Sequence, residues 1–255
     1  MPERWAVLTN PRSLFGLYVV MTIAASLAKY LTDGPFVHHT ATTQINNFMI
    51  FKSAFFNLRA AHDLYLPHPA QYFDLYKYSP TFALLMAPIA LLPDLLGLCV
   101  WNLLNALALS LAITTLPVPP RPTHSALHWF IALPLLTSVQ NAQSNGLVAA
   151  LLLGTFHCLE QRWVLRAALC IGLAFYIKIF GIVAVVLGVL YPDRGKLLAA
   201  LVLWLALLGG LPLLVISADQ LALLYTSWGN LLWQDHTASV GVSVGSSPRH
   251  FDGYL

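Results

Sequence analysis

Two long apolar runs constrain this chain more than any other feature of its sequence. They extend from Leu14 to Leu31 and from Leu198 to Ile216. A helix needs about 18 or more apolar residues to cross a hydrocarbon core of about 30 Å. Only helices and closed barrels satisfy the backbone in lipid, and continuous runs lack the alternation of barrel strands. Both runs therefore predict transmembrane helices.

The composition of the chain excludes a soluble protein. Of its 255 residues, 58% are apolar and 9% are charged, whereas soluble domains average about 25% charged residues. The 13 basic residues form no basic run, so the lipid bilayer is an expected partner and nucleic acid is not. Cys99, Cys158 and Cys170 lie in apolar segments without metal-ligand spacing, which is typical of small membrane-buried side chains.

The first apolar run is typical of an uncleaved membrane helix. Arg4 and Arg12 precede this run as basic residues precede the apolar region of a signal peptide. The run is longer, however, than the usual apolar region of about 7–15 residues. We expect this helix to stay in the membrane, with the basic N-terminus in the cytoplasm.

The remaining apolar segments predict an all-α, polytopic transmembrane helical bundle of about 7–9 membrane helices. Residues 80–116 are interrupted at Pro88 and Pro93, and because proline breaks a helix, two helices are expected there. Shorter apolar segments follow at 126–139, 146–159, 163–177 and 179–191. We expect a single transmembrane domain over 1–245. The tail at 246–255 differs in composition, as a truncated or frameshifted reading frame would.

The longest segment between apolar runs, 32–79, predicts a large first outward loop. Within it, residues 47–58 carry apolar side chains at positions 48, 51, 55 and 58, which share one face of a helix. A helix of this kind can lie in the membrane interface. The loop is therefore expected to carry an interfacial helix.

Basic residues between the later apolar segments orient the bundle. They are Arg121, Arg162, Arg166, Arg194 and Lys196. If these links face the cytoplasm, 126–159 and 163–191 form two hairpins. Their tips, a Gln/Asn cluster at 140–145 and Lys178, then face outward beside the first loop and beside a polar tail that is expected after Ile216. This topology requires 80–116 to cross the membrane once in net, because a plain hairpin there would place the later loops on the opposite side.

Polar residues at these tips are candidate ligand contacts, because polar groups in or beside a bilayer are costly and usually mark function. Gln140, Asn141, Gln143 and Asn145 supply four amides in six residues. They either bind a polyhydroxylated or phosphorylated ligand or form an ordinary interfacial turn. Lys178, flanked by apolar residues, either pairs with a phosphate or carboxylate or extends its ammonium to the interface.

The first loop offers three carboxylates, Asp33, Asp63 and Asp74. A single loop aspartate is usually a turn residue or cap, but two Asp-Leu-Tyr units 11 residues apart favour a site. The histidines of this loop lack metal-ligand spacing: His38, His39, His62 and His68. Phosphate-loop, dinucleotide-binding and hydrolase motifs are absent from the sequence, so no cofactor or metal is expected.

Four short motifs follow one another in a recognisable order. They are the Ala-His-Asp-Leu-Tyr unit at 61–65, the Lys-Tyr-Ser-Pro unit at 77–80, the Gln-Ser-Asn unit at 143–145, and Ile177-Lys178. Over roughly residues 10–243, this order resembles glycosyltransferase family 87, the DUF2029 group of GT-C-fold membrane mannosyltransferases.

The resemblance implies transfer of a sugar, often mannose, from a polyprenyl-phosphate-linked donor to a glycan or glycolipid acceptor. It implies action on the non-cytoplasmic face of a bacterial inner membrane. Such chemistry needs a carboxylate that activates the acceptor hydroxyl and a cation that stabilises the leaving phosphate. Asp74, ranked ahead of Asp63, is the candidate base, and Lys178 is the candidate cation. Further candidate substrate contacts are Asn46, Asn47, Tyr65, Lys77 and Tyr78.

One position departs from the family pattern. An acid is expected about 18 residues before the tyrosine of the first Asp-Leu-Tyr unit, and this sequence has Asn47 there. An amide cannot take a proton at neutral pH. Either Asp63 or Asp74 serves as base, or the chain works differently, or it is inactive. The alternative function is a non-catalytic lipid-binding or transporter-like protein, or an inactive truncated enzyme.

Overall fold

The computed structural model describes residues 10–33, 45–117 and 122–243, and these residues contain helices and no strands. The α-helices are α1 (Pro11–Asp33), α2 (Asn46–Arg59), α3 (Pro80–Leu85), α4 (Ala87–Ala90), α5 (Asp94–Thr114), α6 (Pro122–Gln140), α7 (Asn145–Glu160), α8 (Val164–Ile177), α9 (Val185–Gly188), α10 (Arg194–Gly210) and α11 (Ala218–Ser243). Two 3₁₀ helices extend the bundle at Ile179–Ala184 and Leu211–Leu214. The all-α prediction is confirmed for the described residues. The predicted tail at 246–255 lies outside them.

Three helices of the described residues are long and apolar enough to cross a membrane. They are Pro11–Thr32, Asp94–Thr114 and Arg194–Leu214, and shorter apolar helices cover Asn145–Glu160, Val164–Ile177 and Ile179–Gly188. The first and third candidate spans coincide with the two long runs of the sequence. Several apolar helices thus make this a membrane protein, and the total of 7–9 membrane helices stays a prediction.

Both predicted hairpins form. α6 and α7 are joined by the short link 141–144, and α8 is followed by a helical return segment over 179–190. The two ends of the second hairpin meet, because Arg162 and Arg194 line the same cavity. The two tips also meet, because Lys178 Nζ donates a hydrogen bond to Asn145 Oδ1 over 2.7 Å. Both predicted turns are therefore present and their tips are in contact, whereas the crossing of the membrane by each pair of segments stays a prediction.

These contacts define two ends of the bundle. The polar end carries Asn47, Asn141, Asn145 and Lys178, and the basic end carries Arg162, Asp193 and Arg194. The predicted convergence of the first loop with both tips is confirmed by contacts, because Asn47 Nδ2 donates to the Asn141 carbonyl over 2.8 Å. Which end faces the cytoplasm stays a prediction.

A glycine allows the chain to reverse after Lys178. The backbone of Lys178 is extended, with φ −142° and ψ 125°, and Gly181 N donates to the Lys178 carbonyl over 2.7 Å. A Cβ at position 181 would lie 2.3 Å from the carbonyl carbon of Ala174. The return segment therefore packs directly on the α8 backbone, and only glycine fits at that approach.

The first part of the 80–116 segment, residues 80–92, contains only short helices that cannot cross the bundle. α3 has six residues and α4 has four, and Pro93 then precedes the 21-residue α5. Helices of these lengths rise about 1.5 Å per residue, so α5 alone is long enough for a traverse. This agrees with a single net crossing.

The helix predicted within 47–58 forms as α2, but protein encloses it. The predicted apolar face is buried at Phe48, Phe51, Phe55 and Leu58, and most residues between them are buried as well. Lys52 Nζ donates to the Leu92 carbonyl over 2.7 Å and to Asp94 Oδ1 over 2.6 Å, which ties α2 to the start of α5. The apolar face therefore packs inside the protein, and the position of this helix at the membrane interface stays a prediction.

Residues 218–243 form the helix α11 where a polar tail was expected after Ile216, so that prediction is wrong for these residues. α11 packs Leu221, Leu224 and Trp228 inward. Edge-on ring contacts join Phe175 to Trp228 with centroids 6.1 Å apart. Leu221, Leu224 and Trp228 follow the i, i+3, i+7 spacing of a helix face. The spacing of these apolar residues is therefore a sequence signal for this helix, although polar residues lie between them.

Candidate functional site

Two neighbouring asparagines begin α2 and join three parts of the polar end. The amide of Asn46 donates to the Phe73 carbonyl over 2.7 Å and accepts from the Phe73 N–H over 2.8 Å. Asn47 Nδ2 donates to the Asn141 carbonyl over 2.8 Å. One asparagine therefore fixes the loop beside Asp74, and the next fixes the Gln/Asn tip.

The bond from Asn47 requires an amide at this position. A carboxylate has no proton to donate at neutral pH, so an aspartate here would face the Asn141 carbonyl oxygen without a hydrogen bond. Asn47 stands where the family pattern predicts an acid, and its amide has a structural task in this chain.

Three side chains of α5 form hydrogen bonds with the backbone in and beside the Gln/Asn tip. Trp101 Nε1 donates to the Ala142 carbonyl over 2.9 Å, and Asn102 Nδ2 donates to the Val139 carbonyl over 3.1 Å. Asn105 Oδ1 accepts from the Leu147 N–H over 2.8 Å. All three side chains are buried. The tip is therefore held by its backbone, which leaves its amides available for other partners.

The amides of the tip differ in their partners. Asn145 accepts from Lys178, and Asn141 Nδ2 donates to the Thr137 carbonyl over 2.9 Å. Gln140 and Gln143 are half-buried, and within the described part of the chain their side chains make no hydrogen bond. Two of the four candidate amides are therefore free to bind a ligand.

Lys178 is a half-buried cation held by a neutral group. Its ammonium donates to Asn145 Oδ1, and among the described residues it takes part in no ion pair. The ammonium can donate three hydrogen bonds. It therefore retains donors and a positive charge that no protein carboxylate offsets.

A buried serine fixes the backbone just before Lys178. Ser79 Oγ donates to the Tyr176 carbonyl over 2.6 Å and accepts from the Phe82 N–H over 3.1 Å, so it also caps α3. Serine before Pro80 is a recognisable helix-start signal. Its contact with α8 depends on tertiary packing and has no sequence signal.

The two candidate bases differ in how their oxygens are used. Asp63 is half-buried, accepting from the Tyr65 N–H over 3.0 Å and from Ser227 Oγ over 3.0 Å. Asp74 is exposed, has φ 78° and accepts from the Leu75 N–H through Oδ1 over 2.8 Å. Asp63 ties the loop to α11, whereas Asp74 keeps one oxygen without a donor among the described residues.

The backbone of Asp74 is itself unusual. A positive φ is disfavoured for residues with a side chain, although aspartate tolerates it better than most. The clamp of Asn46 on Phe73 holds the preceding residue at both its N–H and its carbonyl. The loop therefore imposes this conformation, and strained residues of this kind are concentrated at functional sites.

The aromatic candidates of the loop are committed to its own packing. Tyr65 is buried and donates through its hydroxyl to the Tyr78 carbonyl over 2.9 Å. Burial, then the nearby Tyr225 and Asp63, raise the pKa of Tyr65 well above its ordinary value, so the phenol stays protonated and donates. The Tyr78 ring meets Phe51 edge-on at 4.8 Å.

Lys77 lies at the other side of the loop. Its ammonium pairs with Asp235 of α11 over 3.0 Å, and Trp228 Nε1 donates to its carbonyl over 3.2 Å. Unlike Lys178, Lys77 is thus offset by an acid. It belongs to the contacts that hold α11 against the first loop.

Some of the predicted residues lie along one chain of contacts, whereas Asp63 and Lys77 contact α11 instead. The chain of contacts runs from Asp74 through Phe73 to Asn46 and Asn47, and then through the tip to Lys178. The described residues hold no group of three potential metal ligands, and His38 and His39 lie outside them. Sequence reasoning missed Ser79, Trp101, Asn102 and Asn105. Asparagines three apart in an apolar helix were the available signal for the last two.

Most of the residues of this site lie in a part of the chain that matches a known protein family. The sequence profile of glycosyltransferase family 87 matches residues 76–251, which include Lys77, Tyr78, the Gln/Asn tip and Lys178. The match begins after Asn47, Asp63 and Asp74. No curated protein and no solved structure gave a match.

Proposed function

Because the chain belongs to glycosyltransferase family 87 and is a membrane glycosyltransferase, we propose that it takes its sugar from a polyprenyl-phosphate-linked donor. Mannose is the proposed sugar and a glycan or glycolipid the acceptor. The polar end is the proposed transfer site, on the non-cytoplasmic face of a bacterial inner membrane. An arrangement of about 7–9 membrane helices in a GT-C-like fold belongs to the same proposal.

The unpaired charge of Lys178 is the observation that carries this proposal. The donor's leaving group is a phosphate, and breaking the sugar–phosphate bond builds negative charge on it. An ammonium that is already oriented stabilises that charge with little reorganisation. Asn145 orients Lys178 without neutralising it, and the apolar residues around it suit a lipid-linked donor.

The other groups of the polar end have matching tasks in the proposal. Gln140 and Gln143 offer amide donors and acceptors to the hydroxyl groups of a sugar. Asp74 is the proposed base that takes the proton of the acceptor hydroxyl, because its second oxygen has no donor among the described residues. Asp63 is the less favoured base, since both of its oxygens already accept hydrogen bonds.

The amide of Asn47 favours a working variant of the family over an inactive chain. Its hydrogen bond holds the Gln/Asn tip against α2, so the position has a task that depends on the amide. A substitution that only removed the acid would not need an amide that forms this hydrogen bond. In this proposal the acid of the family pattern is replaced by Asp74, and Asn47 positions the tip.

Donor binding tests the proposal without knowledge of the acceptor. The full chain in detergent is titrated calorimetrically with farnesyl-phosphate mannose, and with octyl mannoside as a ligand that lacks the phosphate. We expect Lys178→Met to weaken binding of the phosphate ligand at least about tenfold, as expected for loss of about 1.4 kcal/mol. Binding of octyl mannoside should change little.

Lys196→Met is the matched control, because Lys196 lies at the basic end with a side chain 79% exposed. It should bind both ligands as the parent does. Equal affinity of the parent and Lys178→Met for farnesyl-phosphate mannose would remove Lys178 from the phosphate site. A parent that binds neither ligand would contradict the proposed donor class, while its family membership would stand.

A further inference from the structure

A cavity lies at the basic end, away from the proposed transfer site. It has a volume of about 200 Å³ and is formed by the α7–α8 link, the segment 188–193 and the start of α10. Its charged and hydroxyl-bearing residues are Glu160, Arg162, Tyr191, Asp193 and Arg194. The family comparison assigns no role to this cavity.

The acidic groups of the cavity are already occupied. The Tyr191 hydroxyl donates to Glu160 Oε1, and Lys196 Nζ donates to Asp193 Oδ1 over 2.9 Å. The hydrogen bond from Lys196, assisted by its charge and by that of Arg162, lowers the pKa of Asp193. Asp193 therefore stays ionised and bound to Lys196.

The two arginines of the cavity make no such close contact, although the charge of Arg162 acts on Asp193. Arg162 and Arg194 take part in no ion pair or hydrogen bond with other described residues. A guanidinium presents five N–H donors in a planar fork that matches the oxygens of a phosphate. Two free guanidinium groups on one cavity are suited to an anion.

The cavity lies where the apolar surface of the bundle begins. Arg194 is the first residue of the candidate membrane span Arg194–Leu214, and Leu198 and Val202 on that span are each 60% exposed. Trp163 is 45% exposed and stacks under Arg166, with the guanidinium carbon 4.7 Å from the ring centroid. Tryptophan and arginine at the end of an apolar span are typical of lipid headgroup depth.

We propose that this cavity binds the phosphate of an anionic phospholipid. Arg162 and Arg194 hold the phosphate oxygens, and the acyl chains lie along the exposed apolar face of α10. Basic pockets at the ends of membrane helices bind anionic headgroups by the same chemistry. The inference does not depend on the proposed donor, since no residue of the polar end takes part in it.

Thermal unfolding of the full chain in dodecyl maltoside tests the site. Dioleoyl phosphatidylglycerol should raise the Tm of the parent by at least about 3 °C. Dioleoyl phosphatidylcholine and inorganic phosphate should not. In the double variant Arg162→Gln, Arg194→Gln the shift with phosphatidylglycerol should be lost. Arg59→Gln, which removes an exposed arginine of α2, is the matched control and should keep it.

The Tm without lipid shows whether each variant is folded, and the two single variants replace the double variant if that one does not fold. Each single variant should keep less than half of the parental shift. An undiminished shift in these variants would overturn the proposal, as would a parent that phosphatidylglycerol does not stabilise. A shift produced equally by inorganic phosphate would overturn the lipid assignment.

Discussion

The polar and basic ends differ in how far along the chain their hydrogen-bond partners lie. At the polar end, Asn47 is bonded to a residue 94 positions away, and Asp63 accepts from Ser227, which is 164 positions away. At the basic end the partners are nearer: Tyr191 is bonded to Glu160, 31 positions away, and Lys196 is bonded to Asp193, three positions away. Bonds between distant residues fix whole segments against one another, whereas a bond over three positions shapes a single turn.

The distance between hydrogen-bond partners indicates what each end is suited to do. Group transfer needs reacting groups held in one geometry by their surroundings, and the polar end supplies that support from α2, α5, α8 and α11. A headgroup site needs charge and access more than rigidity, and the basic end offers two guanidinium groups that make no ion pair with other described residues, beside an exposed apolar surface. If the two ends differ in function as they do in structure, substitutions at the polar end should affect donor binding and those at the basic end should not.

The largest expected effect comes from blocking the chain reversal after Lys178. In Gly181→Ala the new Cβ would lie 2.3 Å from the carbonyl carbon of Ala174 and 2.5 Å from its oxygen. Backbone atoms cannot move aside as a flexible side chain does. We expect a loss of about 3 kcal/mol or more in the free energy of unfolding, and loss of farnesyl-phosphate mannose binding. Thermal unfolding and calorimetric titration measure the two effects.

Gly195→Ala is the control for this change at the basic end. A Cβ there would meet no atom within 4 Å, and alanine favours a helix over glycine by about 1 kcal/mol. The variant should be as stable as the parent or slightly more stable. Equal stability of the two alanine variants would contradict the close approach of the return segment to α8.

Sequence patterns predicted the hairpins because their signals are local. Apolar segments of helix length alternated with links that carry Arg162 or Arg194, and Lys178 interrupted the last pair. Polar residues between apolar segments mark turns regardless of what surrounds them. The same logic failed for α11, where Asp219, Ser227 and Asp235 suggested a polar tail. Ser227 and Asp235 contact Asp63 and Lys77 of the first loop, and Asp219 is exposed.

The second prediction separates the two aspartates of the polar end. Loss of a general base costs about 10²–10⁴-fold in rate, so Asp74→Asn should lower transfer by that factor. Asp63→Asn should stay close to the parental rate, because an amide can still accept from the Tyr65 N–H and bond to Ser227. Transfer of radiolabelled mannose from farnesyl-phosphate mannose to membrane acceptors measures both. A larger loss in Asp63→Asn would reverse the assignment.

The roles of Asn46 and Asn47 could not be read from the sequence. Both asparagines stand at the start of an amphipathic segment, where either could have been a cap or a ligand contact. Their partners, Phe73 and Asn141, are 27 and 94 positions away. Only the folded loop brings these residues within 3 Å, so the sequence marked the position without indicating its task.

The third prediction uses Asn47 to distinguish a working variant from an inactive enzyme. Asn47→Asp removes the donor to the Asn141 carbonyl and places a carboxylate against that oxygen. We expect about 1 kcal/mol lower stability and weaker donor binding, without new transfer activity. Asn47→Ala is the control that removes the bond without adding charge, and it should be less harmful. Transfer that appears only in Asn47→Asp would show that the parent is inactive and contradict Asp74 as base.

The smallest expected effects come from the exposed ion pairs of the two ends. Lys77 and Asp235 are half-exposed and join segments 158 positions apart, whereas Lys196 and Asp193 belong to one turn. Exposed pairs contribute roughly 0.2–1 kcal/mol and are screened by salt. Asp235→Asn should therefore loosen α11 slightly, seen as faster amide hydrogen exchange in 218–237 at low ionic strength. Lys196→Gln should leave exchange in that segment unchanged, because its pair holds no second element. If Asp235→Asn has no effect at any salt concentration, the Lys77 pair does not help to hold α11, and other contacts such as the hydrogen bond from Ser227 to Asp63 hold it against the first loop.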